Sequence, residues 1–567
     1  MINMKEFKLL GLSLVFVGAA HAQDAKDAKK AIDAEQYQKA KNTLKTLIAS
    51  EPQEGKNYFL IGDIYLTQTE TDSAAYYFNK GVAVKDNPEY NQIGLAHIAL
   101  NKGDAAGAQA KFAAVEKDLR KRDVEQLIYM GKAYIYSDNP NYVKAIEYLN
   151  KALAKDEKSA EAFFYRGEAN YRNKDSNAAF SDYRNAFNLD NTLLKAKLKL
   201  GVLKKNTKAA FPEAVADFNA LLATNPNYGP AYRELAETYY LWGSMDRAKY
   251  AENTKQAIAF YEKYMQNTDY SLNSRMRHAD FLVLAGDYKA LEAEAKEMQK
   301  LDKVNPRILR YLSYSAYENG NYQESLDAMN KFIASVEPKR IIARDYLYRG
   351  LAQLALNVAT DEEGNTTVVD QAKFDEAIAD IKKAAATDIE ITNEFGAIGQ
   401  KLFKQKLYGP AAVVLGAATE NPEGRNLFVD NFYYGFALYA DYVTKPDDQK
   451  ATYAESLVKA DSAFAKVNEL NPEFPEAFIY KAKVNQLVKT DEAYAKMASA
   501  YDSYIALIVA KGPADVEKNK KNLLEAYDNA GAYYVAKDKV KAKEYFTKSL
   551  ELDPANEYAK QELDKLK

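Results

Sequence analysis

Apolar positions in this chain recur every three or four residues over runs of about a dozen, and short polar breaks separate the runs. The stretch from Lys158 to Asn191, KSAEAFFYRGEANYRNKDSNAAFSDYRNAFNLDN, is 34 residues long and displays the pattern in full. Phe163, Gly167 and Tyr171 follow helical spacing, Asn173 to Ser176 interrupt it, and Ala179, Tyr183 and Ala186 resume it. This predicts two antiparallel amphipathic helices joined by a tight turn. Gly167 and Ala179 are small where the two helices must approach closely, and Tyr183 is large where the gap between successive pairs must be filled. A lone pair cannot bury such a stripe, so neighbours of the same kind are required.

The stretch repeats. With Ala179 marking the second helix, equivalent positions fall at Ala40, Ala74, Ala108, Ala145, Ala214, Ala257, Leu291, Ser325, Ala377, Ala411, Ala460, Ala500 and Ala542, with six steps of 34 residues. Four residues further on stand Leu44, Phe78, Phe112, Leu149, Tyr183, Phe218, Tyr261, Ala295, Met329, Ile381, Leu415, Phe464, Tyr504 and Phe546, apolar or aromatic throughout. Pro52, Pro226, Pro472 and Pro554 lie twelve past the small position, where the second helix must stop. Longer steps predict extra residues near 242–254, 357–371 and 441–451, and longer helices or loops around Thr490 and Gly512. Ala555 to Lys567 is amphipathic and strongly charged, as a helix shielding the last repeat from water requires.

These features resemble the tetratricopeptide repeat, whose 34-residue unit carries Gly-x-x-Tyr in its first helix, then Ala, an aromatic and a closing Pro. Gly62-Asp-Ile-Tyr65, Gly131-Lys-Ala-Tyr134, Ala145 through Ala152 and Ala530 through Pro554 carry the likeness. The resemblance implies an all-α, right-handed superhelical solenoid of about fourteen helix-turn-helix repeats with a C-terminal capping helix. We divide it into residues 23–240, 241–440 and 441–567. The concave face, lined by first helices, would take a peptide or partner helix. Projected onto this chain, the repeat places Phe164, Glu168, Tyr171, Arg233, Glu237, Tyr240, Arg310, Tyr314, Tyr317, Phe432, Phe436 and Tyr439 on that face. Aromatics and arginines there are the residue types that anchor interfaces. The clamp by which chaperone-binding members hold a C-terminal carboxylate has no counterpart, since the matching positions read Phe164/Glu168, Ile128/Lys132, Arg233/Glu237 and Arg310/Tyr314.

Composition narrows the rest. A chain of 567 residues exceeds one ordinary core. Its net charge of −3, with no basic block, disfavours nucleic acid as a partner. Tyrosine is abundant, at 44 against one Trp, and is expected to pack between helices with hydroxyls at the rim. Lys5 and Lys8, the apolar run Leu9 to Ala20 and the site Ala20-His21-Ala22 have the form of an export signal cleaved after Ala22. Exported, periplasmic or secreted, the mature chain is expected to have no integral membrane segment. Without cysteine it has no lipid anchor and no disulfide.

No HExxH, GxSxG, GxGxxG or GxxxxGK motif occurs, and His97 and His278 fall in different predicted first helices. Asp361, Glu362 and Glu363 lack the alternating spacing of a calcium loop. The expected function is therefore a non-enzymatic scaffold or adaptor of the cell envelope, without cofactor or metal, binding proteins or peptides. The alternatives are an envelope assembly factor acting through self-association and, from the tyrosine content, a carbohydrate-binding or carbohydrate-active helical-repeat protein.

Overall fold

The computed structural model describes residues 24–206, 210–269, 271–362 and 366–566. The expected export signal over residues 1–22 lies outside the described residues, as do Glu363 and Gly364 of the acidic insert. Two compact units make up the chain, the first ending at Asp302 and the second beginning at Lys303.

The first unit holds eight consecutive helix pairs: α1 (24–33) with α2 (Tyr37–Ser50), α3 (Gly55–Thr67) with α4 (Thr71–Val82), α5 (Glu89–Asn101) with α6 (Ala105–Lys117), and α7 (Glu125–Tyr136) with α8 (Tyr142–Lys155). It continues with α9 (Ala160–Arg172) and α10 (Ser176–Leu189), α11 (Leu194–Lys205) and α12 (Phe211–Thr224), α13 (Gly229–Met245) and α14 (Tyr250–Asn267), and α15 (Leu272–Ala285) and α16 (Tyr288–Leu301). The second unit pairs α17 (Pro306–Glu318) with α18 (Tyr322–Ser335), α19 (Ala343–Leu356) with α20 (Gln371–Thr387), α21 (Thr392–Lys404) with α22 (Tyr408–Thr419), and α23 (Leu427–Thr444) with α24 (Ala454–Leu470). Then come α25 (Pro475–Val488) with α26 (Asp491–Ala510), the short α27 (Pro513–Lys518), α28 (Lys520–Tyr534) with α29 (Lys539–Leu552), and α30 (Glu557–Lys565). The fold is an all-α helical repeat, and its described pairs number fourteen, as the periodicity predicts.

The small and large positions explain the pairing. All fourteen small positions are buried, as are all fourteen positions four residues on. In eight pairs the large residue seats on a glycine of the first helix of its own pair: a Cβ on Gly167 would stand 2.7 Å from the Tyr183 ring, and one on Gly62 2.4 Å from Phe78. Tyr183 is therefore a wedge within its own repeat, rather than only between repeats as its size suggests. The turn between first and second helices places one residue in the left-handed region, filled by Gly at 103, 286 and 320 but by Glu35, Thr69, Lys174, Lys406 and Lys489 elsewhere. A side chain there costs about 1 kcal/mol, so these turns hold because the flanking helices dictate them. Each of Pro52, Pro226, Pro472 and Pro554 sits two residues beyond the end of a second helix.

The inserts resolve into two kinds. Around 242–254 and 441–451 the extra residues mainly lengthen helices, α13 and α14 to 17 and 18 residues and α23 and α24 to 18 and 17. Around 357–371 they form a two-stranded antiparallel hairpin, β1 (Val358–Thr360) and β2 (Thr366–Val368), with Val358 opposite Val368. Helix α30 buries Ala559 against Ala542 and Phe546 and so closes the last pair.

Candidate partner-binding surfaces

The first helices of the first unit are laced together by ion pairs that cross repeats. Lys132 of α7 donates to Asp63 of α3 at 2.7 Å, Lys199 of α11 reaches Glu168 of α9 at 2.9 Å, and Arg277 of α15 holds Glu237 of α13 through one guanidinium edge, Nη2 and Nε, at 2.6 and 2.8 Å. Lys205 of α11 pairs with Glu234 of α13. Tyrosine hydroxyls join the same network: Tyr90 donates to Glu125 at 2.9 Å, and Tyr136 and Tyr183 both donate to Glu168, at 2.9 and 2.5 Å. These three hydroxyls, expected at the rim, are thus spent on carboxylates of neighbouring helices. Burial pushes the Glu125 carboxyl upward, but Lys29 and Lys56 outweigh it and hold the group at about 2. Burial likewise raises Glu168, and Lys199 with Tyr183 and Tyr136 reverses the direction to a net lowering. Charged groups this enclosed persist because each carries several donors.

Part of this surface is already occupied by the chain itself. Helix α1 sends Lys29 to Glu125 of α7 at 2.6 Å and Asp33 to Lys195 of α11 at 3.1 Å. In the turn after it, Glu35 accepts from Arg233 of α13 at 2.5 and 2.7 Å and from the Tyr264 hydroxyl of α14 at 2.8 Å. Gln36 then donates to the Asn267 carbonyl at 3.2 Å, and the Gln38 amide to Asp269 at 2.5 Å. Ala28 and Ala31, on the inward side of α1, are buried. The first repeat thereby touches the fourth, sixth and seventh.

The residues expected on the concave face divide accordingly. Phe164, Glu168 and Tyr314 are buried, at 4, 2 and 2% exposure, so the expected groove exposure fails for these three. Phe164 lies 5.8 Å from the Tyr183 ring, and Tyr314 stacks on Tyr348 at 4.4 Å while donating to Asp345 at 2.7 Å. The reason is their helical register, which aims them at the adjoining first helix. Arg233 and Glu237 are half-buried in the ion pairs above, Tyr240 packs edge-on to Phe281, and Tyr171 accepts from Asn206 at 2.8 Å. In the second unit Arg310 of α17 grips Asp345 of α19 at 2.8 Å by two bonds, and Tyr317 meets Tyr322 and Tyr348. Phe432, Phe436 and Tyr439 do come together, half-buried around Tyr480 at 6.4, 4.6 and 5.7 Å.

An open recess lies elsewhere, over the second helices of the second unit. It encloses about 1400 Å³ above α22, whose Gly409, Ala412, Val413, Gly416 and Ala417 form an apolar floor. Helix α22 has 12 residues, whereas α20 and α24 beside it have 17 each. The β-hairpin contributes Val358, Thr367 and Val368 on one side, and the 441–451 insert contributes Asp441, Thr444, Lys445 and Gln449 on the other. Tyr434, Tyr453, Lys382, Lys406 and Lys459 complete the rim, with Glu420 and Asp441 as its acids. Sequence reasoning misses this recess, although one signal was present: two inserts bracket the apolar run Tyr408 to Thr419.

Metal chemistry finds no such gathering: among the described residues no three His, Asp or Glu are placed to hold an ion. His97 and His278 lie in first helices α5 and α15, where burial lowers the His97 pKa and His278 approaches Glu294 at 3.4 Å. Among the described residues no helix is long and apolar enough to cross a membrane.

The tetratricopeptide repeat family model matches residues 27–89, 93–160 and 131–186, all in the first unit, and supports tetratricopeptide repeats there. Among solved structures, the chain is similar to the C-terminal part of a TPR repeat-containing protein from Cytophaga hutchinsonii, at 23% identity over 51% of this chain and 99% of that one, with a TM-score of 0.31. A tetratricopeptide repeat protein from Parabacteroides merdae matches at 19% identity over 47% of this chain and 93% of that one, with a TM-score of 0.31. Yeast Tom70 matches at 12% identity over 93% of this chain and 99% of that one, with a TM-score of 0.28. A comparison with curated proteins returned no match.

Proposed function

We propose that the protein is a non-enzymatic scaffold that binds a segment of a partner protein in the recess above α22. The observation that carries this reading is the recess itself: an apolar floor on a shortened second helix, bounded by two inserts that break the repeat period on either side. Its 1400 Å³ exceeds the roughly 300 to 1000 Å³ of small-molecule pockets and suits several residues of polypeptide. Of the four rim lysines, Lys445 pairs with Asp441 at 3.1 Å and Lys459 with Glu455 at 3.0 Å, so the apolar floor is what an occupant meets. The complementary occupant is an apolar segment of a partner chain.

The role belongs outside the cytoplasm, supported by the export-signal form of residues 1–22, and requires no cofactor. Tandem repeats give such a scaffold an extended surface from small, independently variable units. The test is affinity capture by the mature chain and by its Val413→Lys variant from the cells that make it. Val413 is half-buried on the floor and lines the recess, so a lysine there extends into it. A chain recovered by the native protein and lost by the variant supports the reading. Equal recovery by both refutes it.

A further inference from the structure

In the first unit, helix α1 and the turn that follows behave as a ligand lying against other repeats of the same chain. Lys195 and Arg233 stand on consecutive first helices, α11 and α13, and their closest carboxylates are Asp33 at 3.1 Å and Glu35 at 2.5 Å. Glu161 lies 3.9 Å from Lys195 and Glu234 3.5 Å from Arg233, farther than Asp33 and Glu35, and Glu234 is also held by Lys205. The two cations are set against aromatic rings, Lys195 over Phe164 and Tyr165 at 4.9 and 5.0 Å and Arg233 over Tyr264 at 5.4 Å. The arrangement receives two carboxylates separated by one residue at the end of a short helix. Ala28 and Ala31 of α1 are buried in the core shared with α2 and the following helices.

The turn bears on the same contact. Glu35 has φ of 60° at the position that Gly103, Gly286 and Gly320 occupy in three equivalent turns and Thr69, Lys174, Lys406 and Lys489 in four others. The backbone there favours glycine, and the side chain present is the one that the receptor holds with three hydrogen bonds. We propose that residues 24–38 are a cis ligand of the first unit's concave face, held by an exchangeable acidic latch, and that this face admits a partner helix carrying the same pair of carboxylates. This site is separate from the recess above α22, and failure of either leaves the other standing.

The experiment uses the full chain with Asp33→Asn and Glu35→Gly, a pair that removes both carboxylates while giving the turn the residue used by three sister repeats. The probe is a fluorescein-labelled synthetic peptide of residues 24–38, followed by anisotropy. The latch predicts binding to the variant at least tenfold tighter than to the native chain. It also predicts loss when the peptide carries the same two changes, and loss when Arg233→Met is added to the variant. Equal binding to native and variant chains, or no binding to a variant of native helicity, overturns it. Should the variant lose helicity, hydrogen exchange on the native chain decides. Amides 28–33 should exchange about tenfold faster when salt screens the latch, on going from 0.1 to 1 M, while those of Ile128 to Ala133 stay unchanged. Equal salt response in both segments overturns the proposal.

Discussion

Replacing Tyr183 tests how a repeat holds together. The side chain is 1% exposed, its ring fills the space above Gly167, and its hydroxyl donates at 2.5 Å to the buried Glu168 carboxylate. Tyr183→Phe keeps the ring and removes one donor from a charge that also receives Lys199 and Tyr136, which costs about 2 kcal/mol. Tyr183→Ala removes the ring as well and costs about 5 kcal/mol in all, the upper end for truncating a buried aromatic because the donor goes with it.

The assay is urea unfolding followed by the emission of Trp242, the single tryptophan of the chain. It stacks on Phe211 and Tyr239 at 6.0 and 6.2 Å and therefore reports on the first unit. With a slope of about 3 kcal/mol per M for a unit of this size, the midpoint falls by about 0.7 M for Phe and about 1.7 M for Ala. Gly167→Ala completes the cycle. Its Cβ would stand 2.7 Å from the ring, an overpacking worth about 1 to 3 kcal/mol, and that cost should nearly vanish once Tyr183 is Ala. An unchanged midpoint for Tyr183→Ala, or the same Gly167→Ala cost in both backgrounds, would refute the wedge.

Two further outcomes follow from buried charge. Asp430 of α23 is 4% exposed and burial raises its pKa to about 6, so it takes up a proton in the fold before it does in the unfolded chain. The chain should therefore gain about 3 kcal/mol as pH falls from about 6 to about 4 through this group, a gain set against losses elsewhere. Asp430→Asn should raise the second unit's stability at pH 7 and flatten that segment of the profile; no change in a pH series of thermal melts would contradict the assignment. Lys132→Met strands Asp63, its partner at 2.7 Å, and should cost about 3 kcal/mol in urea unfolding, while adding Asp63→Leu should restore most of it.

How much of this was legible in the sequence differs by level. The pairs were readable because nearly all repeat the same steric demand, a small residue on the second helix and a large one four further on, reversed only at Leu291 and Ala295, and so many repetitions leave few other solutions. Docking of α1 was not readable. Lys29 meets Glu125 across 96 positions and Arg233 meets Glu35 across 198, and such contacts depend on how the pairs curve, which periodicity within one repeat does not encode. Glu168 illustrates the limit for the site: its register correctly placed it on a first helix, yet the adjoining Tyr136, Tyr183 and Lys199 consume its oxygens. The recess above α22 was half visible, since the inserts announced themselves as breaks of period, but that both flank one short helix emerges only when the second helices are set side by side.

The central claim is that a partner protein occupies the recess above α22. A photo-crosslinking residue at Val413, compared with one at Val143, which is 70% exposed on α8 of the first unit, tests it most directly in the cells that make the protein. The account predicts a discrete adduct from position 413, absent from position 143. No adduct at 413, or the same adducts from both positions, would contradict it.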